Sequence, residues 1–423
     1  MKYDTIIIGG SEAAFASGLI LADAGQKVAV ISHGQTFLHC SAASLGLLGY
    51  DKDGNPVHNP VEAMAALPDS HPYSKIGVGR VCELAQDVKD LFVRSGIPMH
   101  GSYERNHYRM SPIGVFKPAW LSMDTSPVAA SPDDVKTWGK VLILGIEGFL
   151  DFFAKFIASG LGAIGVNTEI RNISLPELSA LRSGSTEKMR ATNIARVIVS
   201  EKNIEDVALR INIAVESSHA DTVVMPAVFG LSDPLFGVRL QSKLKCRLMF
   251  VPTMPVSVPG LCAKGRFESR FRQIGGTLFY GDTVSGGEFV DGSLKSVRTL
   301  NMAETALYAD NFILATGNFI NHGLVASPSG VSEPLFGLDI MPFAESGFTG
   351  SDFFSRQPYM KCGVATDSDF RVALNGNMIN NFYAAGSILG GCDTLKEESG
   401  AGVEYISAIA VAKKILEKKG GLK

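Results

Sequence analysis

A glycine-rich turn near the start of the chain has the spacing of a phosphate-binding loop. Residues 8–14 read Ile-Gly-Gly-Ser-Glu-Ala-Ala and follow a short β-branched run. A dinucleotide-binding turn needs glycine first for a tight bend, glycine second for close approach of a pyrophosphate, and a small third residue for helix packing. Gly9, Ser11 and Ala14 hold these positions, and Gly10 lies between the first two. The turn predicts a nucleotide site in which Ser11 crowds the phosphate, although a sheet without a nucleotide explains this turn equally well.

A glycine-rich loop near the C-terminus is the most informative stretch. Residues 381–393 read Asn-Phe-Tyr-Ala-Ala-Gly-Ser-Ile-Leu-Gly-Gly-Cys-Asp, and Ser-Gly-Ala-Gly at 399–402 opens a helical pattern. Loop amides and the positive end of a helix stabilise negative charge, which a reduced flavin carries near N1 and C2=O. The apolar residues on both sides of the glycines argue against an exposed surface loop. We therefore predict a flavin site with cofactor contacts at Gly386, Ser387, Gly391, Ser399 and Gly400.

Three weaker signals point to the same edge of a sheet. Phe-Ile-Leu-Ala-Thr-Gly at 312–317 ends a predicted strand in small residues, which predicts cofactor contacts at Thr316 and Gly317, although an ordinary strand–turn is the more frequent explanation. Ser41 and Ser44 could line a phosphate or ring pocket, or cap a helix. Ser32 stands where a ribose-binding acid is expected at the end of the second strand.

The elements that must position these residues form α/β patterns. A strand at 5–8, a helix at 11–24 and a strand at 27–32 make a βαβ unit, which predicts a parallel sheet. A second α/β pattern starts at residue 140, with a helix predicted at 149–159 and a strand at 163–166. We therefore predict a Rossmann-like dinucleotide-binding fold of the FAD/NAD(P) type, formed by residues 1–115 and 256–423, with an inserted α/β domain at 116–255.

Composition excludes several classes of protein. The formal net charge of −3 over 423 residues argues against a nucleic-acid partner, which would need a basic face. The six cysteines show no Cys-x-x-Cys spacing, so no metal site is predicted, and an iron–sulfur cluster would have to lie on another subunit. The apolar runs are too short to cross a bilayer, and no targeting signal is visible. These features favour a cytoplasmic protein.

The sequence resembles the B-subunit family of anaerobic glycerol-3-phosphate dehydrogenase nearly from end to end. Motifs that are specific to this family lie in both predicted domains, and not only in the glycine-rich turns. They include His-Pro-Tyr-Ser at 71–74, Leu-Pro-Glu-Leu at 175–178, Asn-Ile-Ala-Arg at 193–196, Phe-Gly-Leu at 229–231, Asp-Phe-Phe at 352–354 and Ala-Gly-Ser at 385–387.

This resemblance implies a function and a set of partners. In the family, sn-glycerol 3-phosphate is oxidised to dihydroxyacetone phosphate, and the electrons pass to quinone. The implied partners are a catalytic FAD-containing subunit and an iron–sulfur subunit that holds the pair at the inner face of the cell membrane. The resemblance also implies that FMN is the cofactor of the B subunit. FMN has no pyrophosphate, which Ser11 would crowd, and no adenosine ribose, which would need an acid in place of Ser32. These two positions therefore suit FMN, and FAD stays the alternative.

Two other functions stay open at this point. The chain could be a self-sufficient flavin dehydrogenase of the fumarate-reductase-like type, or a scaffold that holds no flavin. A self-sufficient enzyme would need a base paired with a cationic phosphate clamp. The candidates His39, Arg190, Arg196 and Arg371 are scattered, so we expect the arginines to form salt bridges, and no catalytic residue is predicted.

Overall fold

The computed structural model describes residues 1–34, 36–302, 304–328, 330–342, 347–355 and 357–420. Its helices are α1 Glu12–Asp23, α2 Pro60–Met64, α3 Pro72–Ile76, α4 Val78–Arg94, α5 Ala154–Ala163, α6 Ser179–Gly184, α7 Ala191–Val197, α8 Glu201–Ser218, α9 Phe236–Gln241, α10 Val258–Gln273 and α11 Gly400–Gly420. Its strands are β1 Lys2–Ile8, β2 Val28–Ser32, β3 Ser44–Leu45, β4 Met99–His100, β5 His107–Met110, β6 Phe116–Ala119, β7 Leu121–Met123, β8 Val128–Ala129, β9 Val141–Ile146, β10 Thr168–Ile173, β11 Thr222–Pro226, β12 Arg247–Val251, β13 Thr277–Tyr280, β14 Val284–Val290, β15 Ser293–Thr299, β16 Leu307–Leu314, β17 Val325–Ser327, β18 Gly330–Ser332, β19 Arg371–Leu374 and β20 Asn377–Ala384.

Backbone contacts divide the chain into two compact units. The first comprises Met1–Phe37, Gly46–Leu91 and Phe267–Lys423, and the second comprises Leu38–Leu45 and Phe92–Arg266. These boundaries differ from the predicted 1–115, 116–255 and 256–423. In the second unit β4 pairs with β7, β5 pairs with β6 and β3 pairs with β7. The strands before residue 116 are therefore hydrogen-bonded to strands after it, which the sequence pattern did not reveal.

The sheet of the first unit has the order β13-β2-β1-β16-β15-β14, with β20 joined to β16 and β19 to β20. β1 runs parallel to β2 and β16, and β16 runs parallel to β20. Ile8, Ile31, Leu314 and Ala384 stand in one row across these four strands. The loops after the four strands therefore leave the sheet at one edge, where parallel α/β sheets bind their ligands.

Two helices cover this sheet and contact each other, α1 from the first βαβ unit and α11 from the end of the chain. Small residues make α1 narrow, and it is apolar around most of its circumference, as expected for a buried helix. Ala14, predicted as the small third position of the turn, is fully buried in α1. A side-chain carbon at Gly18 would lie 3.1 Å from the Phe271 ring. Close helix packing therefore accounts for the small residues of this segment.

The second unit contains a separate parallel sheet of order β10-β9-β11-β12. Apolar side chains of β9, β11 and β12 are buried on both faces of it. The predicted strand at 163–166 is wrong, because α5 ends at Ala163 and Gly165 turns the chain with a φ of +89°. The strand there is β10, whose polar and half-exposed residues are typical of an edge strand. The predicted helix at 149–159 begins only at Ala154.

None of the helices formed by the described residues combines the length and the apolar character that a bilayer-spanning segment requires.

Candidate functional site

A cavity of about 530 Å³ opens in the first unit where its parallel strands end. Small-molecule and cofactor sites usually measure about 300–1,000 Å³. Five residues predicted from the sequence line it, namely Gly9, Gly10, Ser11, Ser32 and Thr316. The other lining residues are His33, Gly34, Thr36, Thr283, Val284, Ala315, Ile320, Asn321, His322, Gly323, Glu333, Pro334 and Leu335. The first βαβ unit and the loop after β16 thus meet at one cavity.

The two glycines of the first turn are required by the packing of the chain on itself. Gly9 has a φ of +120°, and a side-chain carbon there would lie 2.1 Å from the carbonyl oxygen of Ala315. A side-chain carbon at Gly10 would lie 2.2 Å from Oγ of Ser32. Even alanine would collide at either position, so the turn stays tight and lies against the ends of β16 and β2.

Two threonine hydroxyls at this cavity are buried without a hydrogen-bond partner, Oγ1 of Thr36 and Oγ1 of Thr316. Buried polar groups in folded proteins are normally hydrogen-bonded, and an unpaired one costs about 1–3 kcal/mol. Each hydroxyl can donate one hydrogen bond and accept others. The pair therefore indicates a polar ligand or ordered water in the cavity.

Sequence reasoning missed several polar residues of the cavity. His33 Nδ1 and Thr283 Oγ1 lie 2.7 Å apart, so a hydrogen bond joins the loop after β2 to the loop before β14. The buried Glu333 accepts hydrogen bonds from the backbone N–H groups of Leu335 and Phe336. No motif surrounds Thr283 or Glu333, and only the fold brings them to the cavity. His33 and Thr36 follow Ser32 closely, so the end of β2 was the available signal for these two residues.

The N-terminus of α1 is occupied by a carboxylate of the chain itself. Oε2 of Glu404, which lies on α11, accepts hydrogen bonds of 3.1 Å from the Ser11 hydroxyl and from the backbone N–H of Ala13. Oε1 of Glu404 accepts a hydrogen bond of 2.8 Å from the backbone N–H of Ser387. Glu404 is 8% exposed. A carboxylate thus occupies the position where a helix N-terminus favours an anion.

A second buried carboxyl group lies beside this arrangement. Burial, and to a smaller extent the negative charge of Glu404, raise the pKa of Glu12 to about 8 against a lowering effect of its backbone hydrogen bond. Glu12 is therefore mostly protonated at neutral pH. Ser11, the N-cap residue, makes no capping hydrogen bond of its own, because its hydroxyl is directed to Glu404.

The predicted residues of the C-terminal loop are not among those that line the cavity. The Gly386 N–H donates to Oγ of Ser407, and a side-chain carbon at Gly391 would lie 2.2 Å from the Ser70 carbonyl oxygen. The Ser399 hydroxyl donates to Glu397, and Gly400 is the first residue of α11. Gly386 and Gly391 are glycines because a side chain at either position would collide with neighbouring parts of the chain. This packing explains them without a cofactor. The ring site predicted at Gly386, Ser387, Gly391, Ser399 and Gly400 therefore stays a proposal.

Gly317, Ser41 and Ser44, which were also predicted, are not among the residues that line the cavity. Gly317 turns the chain after Thr316 with a φ of +80°. Ser41 and Ser44 belong to the second unit, where Ser41 Oγ accepts from the Ala43 N–H and Ser44 Oγ lies 2.5 Å from Ser122 Oγ. No helix begins at Ser41 or Ser44, since β3 follows directly, so the helix-cap explanation of these serines was wrong.

Comparison with known proteins identifies the family. The FAD binding domain family matches residues 4–403. The B subunit of anaerobic glycerol-3-phosphate dehydrogenase from Pectobacterium carotovorum is 38% identical over 431 residues, which cover 100% of both chains. The corresponding protein from Yersinia pestis is 37% identical over 425 residues and 99% of both chains. The chain belongs to the B-subunit family of anaerobic glycerol-3-phosphate dehydrogenase. This membership confirms the resemblance and the FAD-binding Rossmann-like α/β fold.

Among solved structures, 3-ketosteroid delta1-dehydrogenase from Sterolibacterium denitrificans aligns over 99% of this chain and 100% of that chain, with a TM-score of 0.45 and 10% identity.

A flavin is the cofactor that the FAD binding domain family indicates. The cavity volume and the unpaired hydroxyls of Thr36 and Thr316 fit a polar ligand of this class. The diphosphate of FAD does not fit at the N-terminus of α1, because Glu404 already accepts the hydrogen bonds of Ser11 and Ala13 there.

The arginines considered for a phosphate clamp have other partners. Arg190 forms an ion pair of 3.0 Å with Asp151, and Arg371 forms one of 2.7 Å with Asp367. Arg196 donates a hydrogen bond of 3.3 Å to Asn193. The salt bridge expected for Arg190 in the inserted domain is thus confirmed, whereas Arg371 pairs with a residue four positions before it within the first unit. No group of His, Cys, Asp and Glu within the described ranges is arranged to hold a metal ion.

Proposed function

We propose that this chain is the flavin-containing electron-transfer subunit of an anaerobic glycerol-3-phosphate dehydrogenase. The complex oxidises sn-glycerol 3-phosphate to dihydroxyacetone phosphate and passes the electrons to quinone. The observation that carries the proposal is the end-to-end similarity to the B subunit from Pectobacterium carotovorum, together with the FAD binding domain at residues 4–403. The cavity at the ends of β1, β2 and β16 supports it.

The flavin is proposed to be FMN, held by the turn at 9–11 and by the hydroxyls of Thr36 and Thr316. FAD is the alternative, which the family name favours. A flavin supplies an acceptor that exchanges one or two electrons. The protein residues then have to bind the ring system and keep water away from it. The apolar residues Val284, Ile320 and Leu335 of the cavity wall suit that second task.

The proposed partners are a catalytic FAD-containing subunit and an iron–sulfur subunit, called the catalytic partner and the anchor partner below. In this proposal the anchor partner holds the complex at the cytoplasmic face of the inner membrane, so the chain is peripheral and depends on its partner. No disulfide bond joins any of the six cysteines, which all lie in the described ranges, and four of them are buried. An electron route through clusters is therefore assigned to the partners.

Oxidation of the substrate is assigned to the catalytic partner because the cavity proposed for the flavin has no cationic clamp. Its lining residues, all within the described part of the chain, include neither lysine nor arginine. A phosphate group is best bound by paired arginines or lysines, and hydride transfer from an alcohol also needs a positioned base. The self-sufficient dehydrogenase is therefore the less favoured function.

Anaerobic mixing of the flavin-loaded chain with excess glycerol 3-phosphate tests this assignment through the visible absorbance. We expect no bleaching of the flavin until the catalytic partner is added, followed by bleaching that needs both proteins. Bleaching by substrate alone would show a self-sufficient dehydrogenase. Unchanged absorbance in the presence of an active catalytic partner would show that this chain does not accept its electrons.

A further inference from the structure

The hydrogen bonds of Glu404 reproduce what a diphosphate would need at the N-terminus of α1. Two of the three donors are backbone N–H groups, at Ala13 in the first turn of the helix and at Ser387 in the loop after β20. The third is the Ser11 hydroxyl, at the turn position where glycine would admit a pyrophosphate. All three donors are directed to one carboxylate, so they are not available to an external anion.

The surroundings of this carboxylate are tightly packed. A side-chain carbon at Gly386 would lie 2.4 Å from Glu404 Oε2 and 2.9 Å from the side-chain carbon of Ala13. The next residue, Ser387, donates its N–H to the same carboxylate. The glycine of this loop therefore leaves the space that Glu404 fills. The protonated Glu12 nearby accommodates the negative charge, since two ionised carboxylates would repel each other in a buried site.

We propose that Glu404 is a specificity-determining residue, whose carboxylate takes the place of a ligand diphosphate and excludes FAD from this chain. The inference rests on the proposed flavin function and names the residue that sets the choice of flavin.

Displacement of this carboxylate by FAD would be unfavourable for two reasons. Glu404 would lose three hydrogen bonds, and hydrogen bonds to a charged group are stronger than those between neutral groups. The diphosphate would also bring negative charge to a buried carboxylate. FMN avoids this cost because its single phosphate does not have to reach the N-terminus of α1. The hydroxyls of Thr36 and Thr316 remain available to it.

Titration of the apoprotein with FMN and with FAD tests the proposal in the wild type and in Glu404→Ala. We expect the wild type to bind FMN at least about tenfold more tightly than FAD, which equals about 1.4 kcal/mol. In Glu404→Ala the Kd of FAD should fall about tenfold or more, while the Kd of FMN changes less than about threefold. Glu417→Ala is the matched control, because Glu417 is an exposed residue of the same helix and should behave as the wild type.

Glu404→Gln keeps the volume of the side chain and replaces its charge, so it carries the test if the alanine variant does not fold. The amide oxygen can still accept from the Ser11 hydroxyl and the Ala13 N–H, but the amide NH2 cannot accept from the Ser387 N–H, so one donor is released and FAD affinity should rise in this variant too. Equal affinity of the wild type for both flavins, or an unchanged ratio in a folded Glu404 variant, overturns the proposal.

Titration with ADP distinguishes a failure of the proposed flavin function from a failure of the proposed role of Glu404. If no variant binds either flavin, the proposed flavin function fails, yet tighter ADP binding by the folded Glu404 variant than by the wild type still supports the role of Glu404 as an occupant of a diphosphate site. Unchanged ADP binding under those conditions overturns that role as well.

Discussion

Nε2 of His71 lies 3.3 Å from Oε2 of Glu397, and both side chains are buried in the first unit. His71 Nδ1 accepts the N–H of Tyr73 at the start of α3, so Nε2 carries the ring proton and donates it to Glu397. Glu397 also accepts hydrogen bonds from the Ser399 hydroxyl and the Asp393 N–H. The hydrogen bond between His71 and Glu397 thereby links the loop before α11 to the start of α3.

Replacement of Glu397 by alanine should destabilise the fold strongly. Loss of one partner of a buried ion pair or hydrogen-bonded network costs about 3–5 kcal/mol, because the remaining polar groups stay buried. We expect a clear fall of the thermal midpoint, measured by circular dichroism. Lys396→Ala is the control, since the neighbouring Lys396 side chain is exposed and should change the midpoint little. Similar midpoints for both variants would show that the His71–Glu397 pair contributes little.

The same carboxylate should make the fold sensitive to acid. Burial acts to raise the pKa of Glu397, but the hydrogen bonds from His71, the Asp393 N–H and the Ser399 hydroxyl outweigh it and hold the pKa below the ordinary value of 4.5. A carboxyl group whose pKa is lowered in the folded state stabilises it above the unfolded value and loses this contribution as the pH falls. The thermal midpoint of the wild type should therefore drop more steeply below pH 4.5 than that of Glu397→Gln. Parallel curves would contradict this.

Glu12 should make the fold less stable as the pH rises, which is the opposite of the effect expected for Glu397. Its folded pKa of about 8 lies above the ordinary value of 4.5, so the folded protein holds a proton that the unfolded chain releases between these values. The contribution of Glu12 to stability is full below pH 4.5 and is lost as the pH rises toward 8. Glu12→Gln should remove this slope and raise the midpoint at pH 8 relative to the wild type. A midpoint at pH 8 below that of the wild type would contradict the buried, protonated state.

Gly386 and Gly400 should respond very differently to alanine, although both were predicted to contact the ring of a flavin. Gly386 has a φ of +83° and lies against Glu404, whereas the nearest atom to a side-chain carbon at Gly400 is 3.7 Å away. We expect Gly386→Ala to lose about 1–3 kcal/mol of stability and Gly400→Ala to change it by less than about 1 kcal/mol, measured by urea unfolding. Equal losses would mean that the loop adapts around Gly386.

Thr316→Val should separate ligand binding from stability. Valine keeps the shape of the side chain and removes a buried hydroxyl that has no partner, so the apoprotein should be as stable as the wild type or more stable. Flavin binding should weaken by about 1 kcal/mol or more, because a hydrogen bond to the ligand is lost. Melting curves of the apoprotein and flavin titrations measure the two effects. Unchanged flavin affinity would place the flavin away from Thr316.

Sequence patterns predicted the first βαβ unit well because its residues obey local rules. The apolar run before Gly9 and the small residues after Ser11 match β1 and α1 within a few residues. β10 was missed because an edge strand carries polar residues such as Glu169 and Arg171 that resemble a loop. A strand shows its alternation only when one face is buried and the other is exposed.

The occupant of the α1 N-terminus could not be predicted from the sequence. Glu404 lies among the buried residues Val403, Tyr405 and Ile406, and an acidic residue within a helix usually faces solvent. Its partner Ala13 is 391 positions away, so only the contact between α1 and α11 brings them together. The glycine at 386 signalled a close approach, but the sequence did not show whether a ligand or a side chain fills the space.

The central claim, that this chain binds a flavin, is tested most directly by the cofactor released on heating the purified protein. We predict a yellow protein with a flavin spectrum, which releases about one FMN per chain on denaturation, identified by chromatography. One FAD per chain would retain the flavin function and contradict the role of Glu404. A folded, colourless chain that takes up neither flavin would contradict the central claim and favour a scaffold function.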